Sequence, residues 1–172
     1  MQFDRFYKDI AISLLNENSL PEDVFHYPSV TNEPSMQNML LRNRQIKPLL
    51  NDMVREQILA DIENLNSVDM FKPRRVQDFV LVGDILRPFF NVKKDAQIDI
   101  VVYYDTRDFP ELMHFRLQKA LSIINDRYIT GTKRKIYYHI RSTPIDLKTY
   151  SAVYHPYTNK WLKEPESFNI NL

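Results

Sequence analysis

Apolar positions along the chain recur with two different periods, and the places where the period changes divide it into elements. Phe3, Phe6, Tyr7, Ile10, Leu14 and Leu15 follow one another at three- and four-residue steps, which predicts an amphipathic helix over 2–16. Pro21, Pro28 and Pro34 then break the pattern, so 16–34 is expected to be irregular, and a shorter helix is expected over 35–44. Leu50, Val54, Ile58 and Ile62, flanked by Leu49, Met53, Leu59 and Leu65, form the clearest helical stripe. It predicts a helix over 48–65, with Pro48 in the first turn, where its missing N–H costs nothing. The run VQDFVLV (76–82) is β-prone and apolar enough to be buried on both faces, and Gly83 ends it. IDIVVYY (98–104) reads as a second strand, with Asp99 its one carboxylate. Leu112, Phe115, Leu117, Leu121 and Ile124 predict a helix over 109–125, Gly131 a turn, and KIYYHIR (135–141) a third strand. The tail, 142–172, carries Pro144, Pro156 and Pro165 and is expected to wrap the surface, anchored by Trp161.

Helices followed by strand, strand, helix and strand predict an α+β fold: a small mixed β-sheet packed by helices. The 172 residues suffice for a single compact unit, read as a helical N-terminal region (1–45) leading into one domain (46–172).

Composition narrows the chemistry. The net charge of +1 gives no general attraction to nucleic acid or to an anionic membrane. The absence of cysteine rules out disulfides and thiolate metal sites. Charges at Asp4, Arg5, Lys8 and Asp9 interrupt the N-terminal segment, so neither a secretory signal nor a membrane span is expected there, and a cytoplasmic location follows as an expectation. His26, His114, His139 and His155 lack metal-ligand spacing and read as packing or surface residues. The basic runs Lys72-Pro73-Arg74-Arg75, Lys93-Lys94 and Lys133-Arg134-Lys135 read first as solvated loop ends, and alternatively as the rim of a phosphate-binding cleft.

Two positions in the second strand region carry the candidate chemistry. A strand repeats every two residues, so Gln97 and Asp99 project to one face, roughly 6–7 Å apart at their Cα atoms. Two carboxylates so placed would hold hard divalent cations, and backbone amides after a glycine would cradle phosphate oxygens. Such a layout suits metal-dependent phosphoryl or nucleotidyl transfer.

Val82-Gly83-Asp84, the twelve intervening residues 85–96, and Gln97-Ile98-Asp99-Ile100 fall on a recognisable frame. It resembles that of the polymerase-β-like nucleotidyltransferases: an apolar residue, Gly, Gly or Ser, a short gap, Asp-apolar-Asp or Glu, and a third carboxylate on a later strand. The chain is more similar still to a branch of small nucleotidyltransferase-like proteins, many of them encoded by large bacteriophages. Lys47-Pro48, Val54-Arg55-Glu56, Leu59, Tyr150-Ser151, Val153-Tyr154, Asn159-Lys160-Trp161 and Pro165 carry that likeness, over about residues 46–165. The resemblance implies the nucleotidyltransferase fold, a host-cytoplasm setting if viral, Mg²⁺ as cofactor if active, and an NTP, RNA or protein partner. It also implies site residues: Asp99 as catalytic and metal-binding carboxylate; Gln97 and Asp146 as further metal ligands; and Gly83, Asp84, Arg87, Lys93 and Lys94 on a nucleotide.

The departures from the frame shape the expected function. Asp84 replaces the phosphate-contacting Ser and would repel phosphate oxygens. Gln97, a neutral amide, replaces the first metal-binding Asp, and Tyr137 stands at the third carboxylate's place. Asp146, or Asp95 through a shifted register, would have to compensate. The leading expectation is therefore a catalytically degenerate protein that binds a nucleotide, RNA or protein. The alternatives are an active Mg²⁺-dependent enzyme and a structural or host-interacting protein without ligand. If Asp99 serves packing alone, Arg87 or Lys135 is its expected ion-pair partner.

Overall fold

A computed structural model of the chain describes residues 20–28, 47–69, 73–87 and 95–165. The helices expected over 2–16 and 35–44 lie outside these segments. Among the described residues the fold is α+β, with two helices and a mixed six-stranded sheet. In chain order the elements are β1 (Phe25–His26), β2 (Leu49–Leu50), α1 (Asp52–Asn66), β3 (Val76–Val82), β4 (Ile98–Tyr104), α2 (Glu111–Ile124), β5 (Arg127–Tyr128), β6 (Lys135–Arg141), β7 (Val153–His155) and β8 (Lys160–Lys163). The sheet runs β5-β6-β4-β3-β7-β8, with β1 and β2 forming a separate pair. β3 and β4 are antiparallel, whereas β4 and β6 are parallel and joined through α2.

Strict alternation along β4 and β6 assigns the two faces of the sheet. Ile98, Ile100, Val102, Tyr104, Ile136 and Tyr138 point to one side, where Phe79 and Leu81 join the buried stripes Val54, Ile58, Ile62, Leu65 of α1 and Leu117, Ile124 of α2. The opposite side has a smaller cluster, Val80, Val82, Val101 and Val153, against which Ile145 and Tyr150 pack. Asp99, Tyr103, Lys135, Tyr137, His139 and Arg141 lie on that second face by the same alternation.

The helical stripe is where expected, but α1 begins at Asp52 rather than in the turn containing Pro48. Tertiary hydrogen bonds take the backbone groups just ahead of it. Trp161 Nε1 donates to the Pro48 carbonyl at 2.9 Å, Leu50 N–H donates to the Tyr154 hydroxyl at 3.2 Å, and Asn51 N–H donates to the Val24 carbonyl at 2.8 Å. Residues 48–51 are thereby held extended.

The tail departs further from its expected surface path, because β7 and β8 pair with each other and extend the sheet beyond β3. Arg55 drives part of this, donating from Nε and Nη2 to the carbonyls of Pro156 and Tyr157 at the hairpin turn. Trp161 does anchor the segment: its ring stacks on Phe25 (centroids 5.6 Å apart, planes 21°) and meets Tyr154 edge-on. Phe25, Val24 and Leu20 are buried in the same core as the strands, so residues 20–28 share the hydrophobic interior of the main domain. Arg134, itself buried, ties them down by donating to Asp23 Oδ2 at 2.8 Å and to the Ala96 carbonyl at 2.9 Å.

Candidate functional site

Gly83 closes β3 with φ 93° and ψ −162°, a region open to glycine and strained for other residues. The chain then makes a 3-10 turn, Asp84–Leu86, that buries Ile85 and Leu86. The antiparallel register sets Val82 opposite Asp99, so the glycine lies against the start of β4. A Cβ on Gly83 would come within 3.1 Å of Asp99 Oδ2. Both the backbone angle and the close approach therefore require glycine here. Gly83→Ala is expected to cost about 1–3 kcal/mol and to push Asp99 from its position. Urea unfolding checks the first effect, and loss of the Asp99–His139 contact in NMR spectra checks the second; an unchanged midpoint would argue against a strained turn.

Asp99 is mostly buried, and its two oxygens have different surroundings. Oδ2 faces Gly83, while Oδ1 accepts from Gln97 Nε2 at 2.8 Å and contacts His139 Nε2 at 2.9 Å. Gln97 and Asp99 thus do share a face, as the strand period requires. His139 is brought in by the parallel β4–β6 register, which pairs Asp99 with Tyr137 and Val101 with His139. Its imidazole is half exposed. The expected ion pairs of Asp99 are not formed. Arg87 instead contacts Asp84 at 3.2 Å, and Lys135 contacts Asp126 at 3.0 Å, because each lies closer to another carboxylate.

Tyr137 directs its hydroxyl to Asp126 Oδ1, a residue held in the left-handed region (φ 62°) just after α2. That bond, reinforced by Lys135, holds the Asp126 carboxyl below the usual carboxylate range. The same bond, then burial and the charges of Asp126 and Asp99, pushes the Tyr137 phenol up, against a lowering from Lys135. Asp126 and His139 were not singled out by the sequence. For His139 the signal was available: period two from Tyr137 puts it on the same face. For Asp126 it was weaker, an Asn-Asp pair at a helix end, where these residues tolerate positive φ.

Among the other candidates, Asp146 is exposed and its Oδ1 accepts from Lys148 N–H at 3.0 Å, capping the 3-10 turn Leu147–Thr149. Asp95 is exposed just ahead of β4, and Lys93 and Lys94 lie outside the described residues. Within the described parts of the basic runs, Arg74, Arg75, Arg134 and Lys135 are committed to partners in the fold. Buried Arg75 donates to the carbonyls of Asp105 and Arg107 and pairs with Asp69 at 3.5 Å, and Arg74 pairs with Glu63. Arg134 holds Asp23.

No family model matches the chain, and no curated protein or solved structure is significantly similar to it. The chemistry of the site therefore has to be read from its own groups. Among the described residues no three His, Asp or Glu side chains converge into a group able to hold a metal ion. The donors around Asp99 are one carboxylate, one amide and one imidazole, a set poorly suited to Mg²⁺, which binds anionic oxygens. What the arrangement offers is an Asp–His pair beside a glycine turn. Among the described residues no helix is long and apolar enough to cross a membrane.

Proposed function

We propose that this chain is a nucleotidyltransferase-like protein of the polymerase-β type whose catalytic carboxylate set has been replaced, so that it binds a nucleotide or RNA without transferring it. The observation that carries this reading is the identity of the groups at one end of the sheet. Gly83 follows β3, Gln97 and Asp99 lie at the start of β4, and Tyr137 of β6 is in register with Asp99, with β4 antiparallel to β3 and parallel to β6. Only one of the three acidic positions is an acid, and its Oδ1 is engaged by Gln97 and His139. The nucleotidyltransferase scaffold accounts for the geometry, and the loss of anionic ligands accounts for the proposed loss of catalysis.

Calorimetric titration with each NTP, with Mg²⁺ and then with EDTA, tests binding, and label transfer from an α-labelled NTP tests catalysis. Binding that survives EDTA with no label transfer is the expected result. Label transfer that disappears in Asp99→Ala would overturn the degenerate reading in favour of an active Mg²⁺-dependent enzyme. No binding of any NTP or of single-stranded RNA at millimolar concentration would overturn it in favour of a structural or host-interacting role.

A further inference from the structure

A recess lies at the far end of β3, roughly 20 Å from Gly83 at the usual rise per residue. It measures about 380 Å³ and is bounded by α1, the first half of β3 and the β7–β8 turn. This is within the size range of small-molecule sites. Leu59 and Ile62 give it aliphatic surface, and Phe79, His155 and Tyr157 give it three rings.

The rings are held in place. His155 Nδ1 lies 2.9 Å from Thr158 Oγ1 and 3.2 Å from Thr158 N, and its Nε2 lies 2.9 Å from Asp78 Oδ1. With both nitrogens occupied, the imidazole has only its π surface left to offer, and it stacks with Phe79 at 5.9 Å and 24°. Tyr157, largely exposed, meets Phe79 edge-on.

Asn66 supplies the polar feature. Its Oδ1 accepts from Val76 N–H at 2.9 Å, which fixes the orientation of the amide. Its Nδ2 is buried with no hydrogen-bond partner among the described residues, and Asn66 is one of the residues that border the recess. A buried amide donor without an acceptor is costly, and native proteins rarely keep one. The charges nearby are internally matched, Arg74 by Glu63, while the Asp78 carboxylate would oppose an anion.

We infer that this recess binds a small, uncharged, planar heteroaromatic molecule, its ring against Phe79, His155 and Tyr157 and an acceptor on its edge taking the free N–H of Asn66. The site is separate from the Gly83–Asp99 end, and its occupancy does not depend on the nucleotidyltransferase reading.

The test is ¹H–¹⁵N NMR of the whole chain titrated with adenine and, separately, nicotinamide, both at millimolar concentration. Shifts are expected at the backbone amides of Gln77, Asp78 and Tyr157 and at the Asn66 side-chain NH₂. Asn66→Asp keeps the acceptor for Val76 but replaces the free donor with an oxygen, and is expected to weaken binding about tenfold. Tyr157→Ala, at an exposed position that should not affect folding, is expected to weaken it about fivefold. Three results would overturn the inference: no shifts with either compound, shifts centred on Gly83 and Asp99, or unchanged affinity in Asn66→Asp.

Discussion

Asp61→Ala is expected to lower the unfolding free energy by about 3–5 kcal/mol, the range for breaking a buried charged network by removing one partner. At this chain length that is a fall in Tm of about 6–20 °C. Asp61 occupies a place in the apolar stripe of α1 where a carboxylate is unwelcome unless fully partnered, and it is only 2% exposed. Its Oδ2 accepts from Arg127 Nη2 and from the Tyr138 hydroxyl, each at 2.6 Å, and its Oδ1 accepts from Gln57 at 3.2 Å. One side chain therefore ties α1 to both β5 and β6 across the core face. Alanine would strand the Tyr138 hydroxyl in an apolar interior, leave Arg127 without its counter-charge and open a small cavity. Thermal and urea unfolding measure the loss. A cost below about 1 kcal/mol would mean that water or a rearranged Arg127 replaces the carboxylate, and that the network is not what holds the helix.

Alkaline pH should expose the same network from the tyrosine side. Burial, followed by the charge of Asp61 and the bond to it, pushes the Tyr138 phenol far up. Burial likewise raises Tyr104 and Tyr154. The unfolded chain loses these protons near pH 10, whereas the folded chain keeps them. Above that pH the folded state holds more protons than the unfolded, so stability falls as pH rises. The contribution is complete below about pH 10 and is lost progressively toward the folded-state value, at about 1.4 kcal/mol per pH unit for each such tyrosine. Urea midpoints taken between about pH 8 and pH 11 should therefore slope downward. In Tyr138→Phe the slope should be shallower by one proton's worth, although the variant is less stable at neutral pH. Parallel slopes in parent and variant would show that Tyr138 ionises without unfolding the chain.

Neither Asp61 nor Tyr138 stands out in the sequence, and the reason applies to much of this fold. The three long strands coincide with the runs 76–82, 98–104 and 135–141, because alternation and β-branching act within a few residues. Both glycines were legible as turns, and both have positive φ. β7 and β8 were not legible: they are short, carry exposed Lys160, Leu162 and Lys163, and gain their hydrogen bonds only once the β3 edge exists. At the candidate site, the shared face of Gln97 and Asp99 was readable from the strand period. The same period put His139 on the face of Tyr137, but its contact with Asp99, forty positions back, needed the parallel β4–β6 register, and the ion pairs expected from nearby charges were taken by Asp84 and Asp126.

By itself the sequence determined the three long strands, the apolar stripes of the two described helices and where glycine must turn the chain. These are local properties, set by side-chain period, backbone sterics and residue identity. Only the tertiary structure decided which groups meet. The parallel placement of β6 beside β4 gives Asp99 its histidine, and the packing of α1 on the sheet gives Asp61 its tyrosine and arginine. The hairpin turn brings His155 and Tyr157 to the recess beside Asn66. Such pairings depend on strand order, register and helix rotation, which emerge from burying the whole core at once and leave no periodic trace in the chain.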